Sequence, residues 1–206
     1  MRTILFTCDD YGKFAEGDRI LRESGITRLS VMTKRERGFA TKELEGKTVG
    51  LHADFGGENL WDFLSHILRP AAVARELQSQ IDEFTCVFSK PPAYVDSHRF
   101  FHFFPTIFPV FLRVCKANNI PYLRISRKGV VKITSVKTFV IHCMILLNQR
   151  LYRKQIEPFM NVDYFLSLDW YAAIDFPLPE GVIKVIFHPE NSRELLKQLQ
   201  RLSRDA

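Results

Sequence analysis

The sequence predicts one α/β domain over residues 1–206, built as a distorted or incomplete (β/α) barrel of about seven mainly parallel strands. Short apolar or β-branched segments recur along the chain, amphipathic helical patterns separate several of them, and no change in composition marks a domain boundary. Alternation of strands and helices is typical of parallel sheets, and this length suits one sizeable core. An open doubly wound sheet is the alternative architecture.

Seven segments have the character of strands, because apolar, β-branched or aromatic residues are bounded there by polar residues or glycine. They are Thr3–Asp10, Thr27–Thr33, Thr48–Asp54, Ala93–His98, Ile120–Ser126, Val162–Leu168 and Val182–His188. In a parallel arrangement the carboxyl ends of such strands meet at one rim, where ligands and catalytic groups gather.

Helices are predicted between and after these strands from apolar residues that repeat with a period of 3.6 residues. They are Ala71–Ser89, Pro105–Asn118 with an interruption at Pro109, and Ser192–Ser203 with Asn191 as its N-cap. The first of these has the clearest amphipathic pattern. The last begins with a sequence that resembles a capping box.

Basic residues are concentrated in one part of the chain. The net charge is +6, and the stretch from Pro121 to Lys154 contains eight Lys or Arg residues and no Asp or Glu. A solvated basic face is the commoner explanation, while a phosphate-bearing or membrane-surface partner is the other. No zinc-finger, RGG or aromatic-interleaved repeat accompanies the charge, so nucleic acid binding is not expected.

The apolar segment Thr138–Leu147 lies inside this basic stretch. It is too short to span a bilayer, so a buried helix is expected. A homodimer interface and contact with a membrane surface are the alternatives, of which membrane contact is the less favoured.

The cysteines and the N-terminus indicate the cellular compartment. The four cysteines are widely scattered without a CxxC pair, which indicates neither a disulfide framework nor a thiolate zinc site. Only a handful of apolar residues precede Asp9, too few for the core of a signal peptide. A cytoplasmic location is therefore expected.

Polar side chains stand at the ends of four predicted strands. Asp9 and Asp10 end the first strand, His52 the third, His98 the fourth and His188 the last. Adjacent carboxylates near a buried strand need a cation, a proton or open solvent, because burial and mutual repulsion both disfavour their charges. One Asp and two His with an open position make a divalent metal site, and a second Asp and a third His can move protons.

The other histidines are interpreted separately. His102 is a secondary candidate, either as a ligand or as a residue that orients one. His66 and His142 lie in helical or apolar stretches, where a structural role is expected. The simple structural alternative for the adjacent aspartates is that they cap a helix.

Four ordered motifs resemble those of the YdjC-like carbohydrate deacetylases, the family that includes chitooligosaccharide deacetylase. They are TCDDYG, VGLHADFGG, PPAYVDSHRFFHFFP and IFHPE. The resemblance runs from residue 1 to about residue 126 and resumes near residue 160. One departure is Phe100, which stands where the histidine-rich motif of the family usually has a histidine.

The resemblance implies a metal-dependent enzyme that removes an acetyl group from an N-acetylated sugar. Carried over by position, Asp10, His52 and His98 would bind a divalent ion such as magnesium or zinc. Asp9 would be the general base and His188 the general acid. Two alternatives remain: a metal-dependent phosphoesterase-type hydrolase on a similar barrel, and a catalytically inactive binding or regulatory protein that keeps the fold.

Overall fold

A computed structural model of the protein describes residues 1–13, 26–34, 44–56, 65–159 and 162–188, together with 194, 196–198, 200 and 201. In these residues six strands form one parallel sheet in the order β4-β3-β2-β1-β6-β5. The strands are β1 (Arg2–Tyr11), β2 (Arg28–Val31), β3 (Thr48–Ala53), β4 (Val95–Ser97), β5 (Tyr164–Ser167) and β6 (Gly181–Phe187). The sheet curls into a half-barrel, which confirms the predicted fold class.

The gap between the edge strands β4 and β5 is bridged by the segment 122–131. Leu123 forms a parallel bridge with Val95 of β4, and Val130 forms one with Phe165 of β5. The prediction of a regular strand over Ile120–Ser126 was therefore wrong, and the described residues contribute six strands to the sheet rather than seven. A segment that contacts one edge at its start and the other at its end cannot form a continuous ladder with either, and Pro121 offers no N–H.

Two helices pack on the sheet and on each other. Helix α1 spans Pro70–Phe88, in agreement with the helix predicted over Ala71–Ser89, and Ser89 after it has a left-handed backbone conformation. Helix α2 spans Phe108–Ala117. The predicted interruption at Pro109 was wrong, because Pro109 lies in the first turn of α2, where its missing N–H leaves no helical hydrogen bond unmade.

Helix α3 spans Val136–Ile156 and is longer than the apolar segment that predicted it. Ser135 and Thr138 form a capping box at its start, in which each side chain accepts from the other residue's backbone N–H. One side of α3 packs on the protein, but the expected full burial was wrong. Six large apolar side chains on its other side are exposed. No helix among the described residues is both long enough and apolar enough to span a membrane.

The core lies between the sheet and these helices and consists mostly of branched aliphatic and aromatic side chains. The described residues of the predicted last helix are helical, and Leu196 is buried there. Its expected start and its N-cap, Asn191, lie outside the described residues.

Candidate active site and metal centre

Strand β1 ends with an irregularity that brings two adjacent aspartates to the same rim. Its pairing register with β2 shifts between Cys8 and Tyr11, and Asp10 has a left-handed φ of 56°. In a regular strand, neighbouring side chains point to opposite faces of the sheet. The left-handed residue, a conformation that Asp tolerates better than most residues, redirects the chain so that both carboxylates reach one site.

Asp10, His52 and His98 converge at the carboxyl ends of β1, β3 and β4. Oδ1 of Asp10 lies 3.2 Å from Nε2 of His52 and 3.3 Å from Nδ1 of His98. One possible ligand atom from each residue lies within 4.8 Å of the other two. An Asp-His-His set of this kind can bind a divalent ion and leave coordination positions open.

The donor atoms of this set fit a cation. Oδ1 of Asp10 is buried and has no hydrogen-bond partner, while Oδ2 accepts from Lys13 Nζ at 2.8 Å. A buried carboxylate oxygen is expensive to leave unsatisfied, and an ion between the two imidazoles would satisfy it. A second group, Asp9, His52 and Asp96, is also compact. Its carboxylates are already neutralised by Arg124, so the first group is the better metal site.

The charges around His52 and Asp10 shift the pKa values of both residues in opposite directions. Burial would lower the pKa of His52, but the carboxylates of Asp96, Asp9 and Asp10 raise it to about 10. Burial would raise the pKa of Asp10, but the imidazoles of His52 and His98 and the ammonium of Lys13 hold it well below its usual range. The surroundings therefore stabilise positive charge at His52 and negative charge at Asp10.

Asp9 is held apart from this group by a buried arginine. Arg124 donates from Nη1 to Oδ2 of Asp9 at 2.6 Å and from Nη2 to Oδ1 at 2.5 Å. The same guanidinium contacts Asp96, which also binds Nδ1 of His52. Ser30 completes the network by donating to Asp96 at 2.8 Å. The result is a buried ionic network that fixes both Asp9 and the orientation of the His52 ring.

His188 follows β6 and lies near Oδ2 of Asp10, whereas His52 and His98 lie near Oδ1. Its Nδ1 binds Asp169, which follows β5, and its Nε2 lies 3.9 Å from Oδ2 of Asp10. Burial disfavours the charged ring, but the hydrogen bond with Asp169 and the charges of Asp9 and Asp10 raise the pKa of His188. His188 is thus oriented and biased towards its protonated form.

His102 has a structural position. Its Nε2 donates to the carbonyl of Arg124 at 3.0 Å, so Nδ1 of the neutral ring accepts from the Ser97 hydroxyl. The Ser97 Oγ also accepts from the backbone N–H of His102 at 2.8 Å. Burial and the charge of Arg124 lower the pKa of His102 to about 3, so the ring is neutral. His102 therefore is not placed as a ligand, and instead fixes the backbone that carries Arg124.

The two remaining histidines lie outside the candidate metal group. His142 accepts from the N–H of Val130 at 3.3 Å and packs against Gly129, where a side chain would collide with its ring. His66 lies 6.0 Å from the Phe101 ring and lines a small cleft that His98 also borders. His66 therefore lies near His98 of the candidate metal group, although its sequence context predicted only a structural role.

The chain after β4 turns sharply at the site. His98–Phe103 is a 3₁₀ segment in which Arg99 and Phe100 both have left-handed backbone angles, with φ of 55° and 59°. Such angles are rare for bulky residues and occur at functional sites where surrounding contacts enforce them. Here Phe100 packs edge-on against Phe165 and Trp170. Phe100, the departure from the family motif, therefore joins an aromatic cluster.

A pocket of about 140 Å³ opens at this rim. Its walls include Asp9, His98 and His188, together with Phe100 and Lys137 from the first turn of α3. Four of the five residues predicted from sequence as ligands, base and acid therefore line one small pocket: Asp9, His52, His98 and His188. The fifth, Asp10, contacts His52, His98 and His188.

Sequence reasoning assigned no role to Arg124, Asp96 or Asp169. Arg124 was counted only as part of the basic stretch, although an arginine in the apolar run YLRIS is unusual enough to suggest a buried partner. Asp96 stands in the YVDSH motif at the end of a predicted strand, so its position could have identified it as a site residue. Asp169 follows a strand by only two residues, but no pattern linked it to His188.

Comparison with known sequences identifies the family. The sequence profile described as YdjC-like protein matches residues 3–202. Chitooligosaccharide deacetylases of Yersinia pestis (strain Pestoides F) and Yersinia pseudotuberculosis serotype O:1b (strain IP 31758) are 38% identical over 58 residues. The matched segment covers 28% of this chain and 22% of each relative, so the similarity spans only about a fifth of their length.

A solved structure supports the fold. A candidate cellobiose-phosphate cleavage protein of Enterococcus faecalis V583 superimposes with a TM-score of 0.62 over 91% of this chain and 81% of that protein, at 16% sequence identity. This likeness concerns the fold alone. Because the family profile extends over nearly the whole chain, the protein described here belongs to the YdjC-like family.

Proposed function

We propose that the protein is a metal-dependent hydrolase that removes the acetyl group from an N-acetylated sugar. Membership of the YdjC-like family and the similarity to chitooligosaccharide deacetylases support a carbohydrate deacetylase. The observation that carries the proposal is the separation of two adjacent aspartates. Asp10 faces two imidazoles with an unsatisfied oxygen, while Asp9 is held by Arg124 beside the same pocket.

Asp10, His52 and His98 would hold the ion. A divalent metal bound there supplies Lewis-acid chemistry, which polarises the amide carbonyl and makes water a better nucleophile near neutral pH. Asp96 fixes the His52 ring through Nδ1, so Nε2 faces Asp10 and is the atom available to the ion. Residues that orient ligands in this way usually contribute strongly to metal affinity.

Asp9 is suited to act as the general base. Its side chain lines the pocket, and the bidentate contact with Arg124 fixes its position. It would accept a proton from the water that attacks the amide carbonyl. A base held in place by a neighbouring guanidinium needs no reorganisation during the reaction.

His188 is suited to act as the general acid. An amine leaves the tetrahedral intermediate as a neutral molecule only if its nitrogen receives a proton. Asp169 binds Nδ1 of His188 and directs Nε2, the proton-donating atom, towards the rim that Asp10 occupies. The raised pKa of His188 favours the protonated ring that this role requires.

The test is acetate release from a panel of N-acetylated mono- and oligosaccharides by the purified protein, before and after removal of metal by a chelator. We expect acetate release that chelation abolishes and that added divalent metal restores. Asp9→Asn should lower release by about 10²–10⁴-fold without loss of bound metal. The matched control is Asp82→Asn, which makes the same change on the exposed side of α1.

Two other results would contradict the proposal. Metal-dependent phosphate release from sugar phosphates without acetate release would assign the site to a phosphoesterase. Bound metal with neither activity, across a panel that includes lipid-linked sugars, would indicate a binding protein that keeps the fold. The described residues supply one metal group with free donor atoms, which disfavours a two-metal phosphoesterase site.

A further inference from the structure

Helix α3 exposes a continuous apolar stripe. Its members, each at least 40% exposed, are Val136, Phe139, Val140, Leu146, Leu147 and Leu151. At 3.6 residues per turn these positions lie on one side of the helix. Thr138, Ile141 and Ile145 lie on the opposite side and are buried against the protein. The stripe is therefore a second apolar face, and burial within the described part of the protein does not account for it.

Basic residues lie at both ends of this apolar stripe. Of the eight Lys and Arg residues between 121 and 154, Arg124 is buried in the active site and the other seven are exposed. Arg150, Arg153 and Lys154 lie around its C-terminal end, and Lys137 lies in the first turn of α3. The stretch itself contains no Asp or Glu. Two carboxylates lie near it: Asp163, 3.7 Å from Arg127, and Glu157, which borders a cleft with Arg150 and Arg153. The cations therefore remain in excess.

We propose that this face of α3 docks on an anionic membrane surface, with the helix lying in the plane of the interface. An exposed apolar stripe beside clustered Lys and Arg is the pattern that binds acyl chains and anionic headgroups together. The helix cannot insert across the bilayer, because its other side belongs to the protein core. The interaction is therefore peripheral.

Charge argues against a second copy of the chain as the occupant. A two-fold interface brings the same surface of two subunits together, so the exposed basic residues of each α3 would face those of its partner. Each α3 carries Lys137, Arg150, Arg153 and Lys154, and Glu157 at its C-terminal end is the one carboxylate there among the described residues, so cations outnumber it. Like charges enclosed at an interface repel, whereas anionic headgroups attract the same residues.

Docking would also orient the pocket. Lys137 belongs to the first turn of α3, next to Val136 of the stripe, and its side chain lines the 140 Å³ pocket that contains Asp9 and His188. The pocket therefore borders the N-terminal end of the docking face.

Vesicle flotation tests the proposal with the purified chain. We expect binding to vesicles of phosphatidylcholine mixed with phosphatidylglycerol, little binding to phosphatidylcholine alone, and release at high salt. The double variant Arg153→Gln/Lys154→Gln should lower the partition coefficient about 30-fold, since each surface cation contributes about fivefold. The matched control is Arg75→Gln/Lys90→Gln, which removes two exposed charges at α1 and should bind like the wild type.

The apolar contribution is tested with Phe139→Ser/Leu147→Ser. Both side chains are about half exposed, so we expect the variant to fold, which urea unfolding would check, and to lose vesicle binding. Equal binding to neutral and anionic vesicles, or an equal loss in the α1 control, would overturn the proposal. A concentration-dependent dimer in light scattering that this variant disrupts would assign the stripe to a second copy instead.

Discussion

Arg124 binds both carboxylate oxygens of Asp9, at 2.6 Å from Nη1 to Oδ2 and 2.5 Å from Nη2 to Oδ1, although 115 residues separate them in sequence. The contact joins the segment that bridges the open side of the half-barrel to the end of its central strand β1. Closing the fold and positioning the proposed base are thus achieved by the same residue.

Replacement of Arg124 should separate these two contributions. Arg124→Met leaves the buried carboxylates of Asp9 and Asp96 without a counter-charge, and we expect a loss of about 3–5 kcal/mol in unfolding free energy. Arg124→Lys keeps the charge but cannot form the bidentate contact. It should retain the fold and bound metal and lose most of kcat. Urea unfolding, metal content and acetate release check this, and unchanged kcat in Arg124→Lys would contradict a positioning role.

The adjacent aspartates should respond differently to the same substitution. Asp10→Asn should reduce bound metal and activity together, because it removes the charge that faces both imidazoles. Asp9→Asn should keep the metal and lower the rate by about 10²–10⁴-fold, as expected for loss of a general base. Metal analysis and acetate release on the two purified variants test this. If both aspartates merely capped a helix, both variants would remain active, since Asn caps as well as Asp.

Asp169 should matter to catalysis without binding metal. Asp169→Asn removes the carboxylate that orients His188 and favours its protonated form. We expect a lower kcat with unchanged metal content, and His188→Ala should behave in the same way. Both losses should be smaller for substrates whose amine leaves without prior protonation. Equal losses for good and poor leaving groups would exclude His188 as the acid.

His102 should make stability depend on pH. Its pKa is about 3 in the folded protein and about 6.5 when unfolded, so only the unfolded chain takes up a proton between these values. Its contribution is complete above pH 6.5 and is lost as the pH falls towards 3. The stability advantage of the wild type over His102→Gln should shrink by about 2 kcal/mol from pH 7 to pH 5. Urea unfolding in the presence of chelator measures this, and a constant difference would mean that the pKa of His102 is the same in the folded and the unfolded protein.

The two proposals together predict a preference for substrates held at a membrane. An N-acetylated sugar attached to a lipid in anionic vesicles should be deacetylated with a higher kcat/KM than the same sugar free in solution. Arg153→Gln/Lys154→Gln should reduce the rate on vesicles and leave the rate on the free sugar unchanged. A parallel loss on both substrates would show that the variant damages the site rather than docking.

The sequence by itself determined the parallel α/β architecture and the position of most strands, because apolar runs bounded by polar residues report burial directly. It also placed Asp9, Asp10, His52, His98 and His188 at one rim, since parallel strands end on the same side of a sheet. Four of these residues line one pocket in the structure, and Asp10 contacts three of those four.

Only the tertiary structure decided which partners these residues have. Arg124, Asp96 and Asp169 complete the site through contacts between distant segments, and local sequence patterns do not encode such pairings. The bridging of the sheet edges by residues 122–131 is likewise invisible in a run that resembles an ordinary strand. The exposed side of α3 could not be predicted for a similar reason. Periodicity shows that a helix has apolar residues, but packing against the rest of the chain determines which of them are buried.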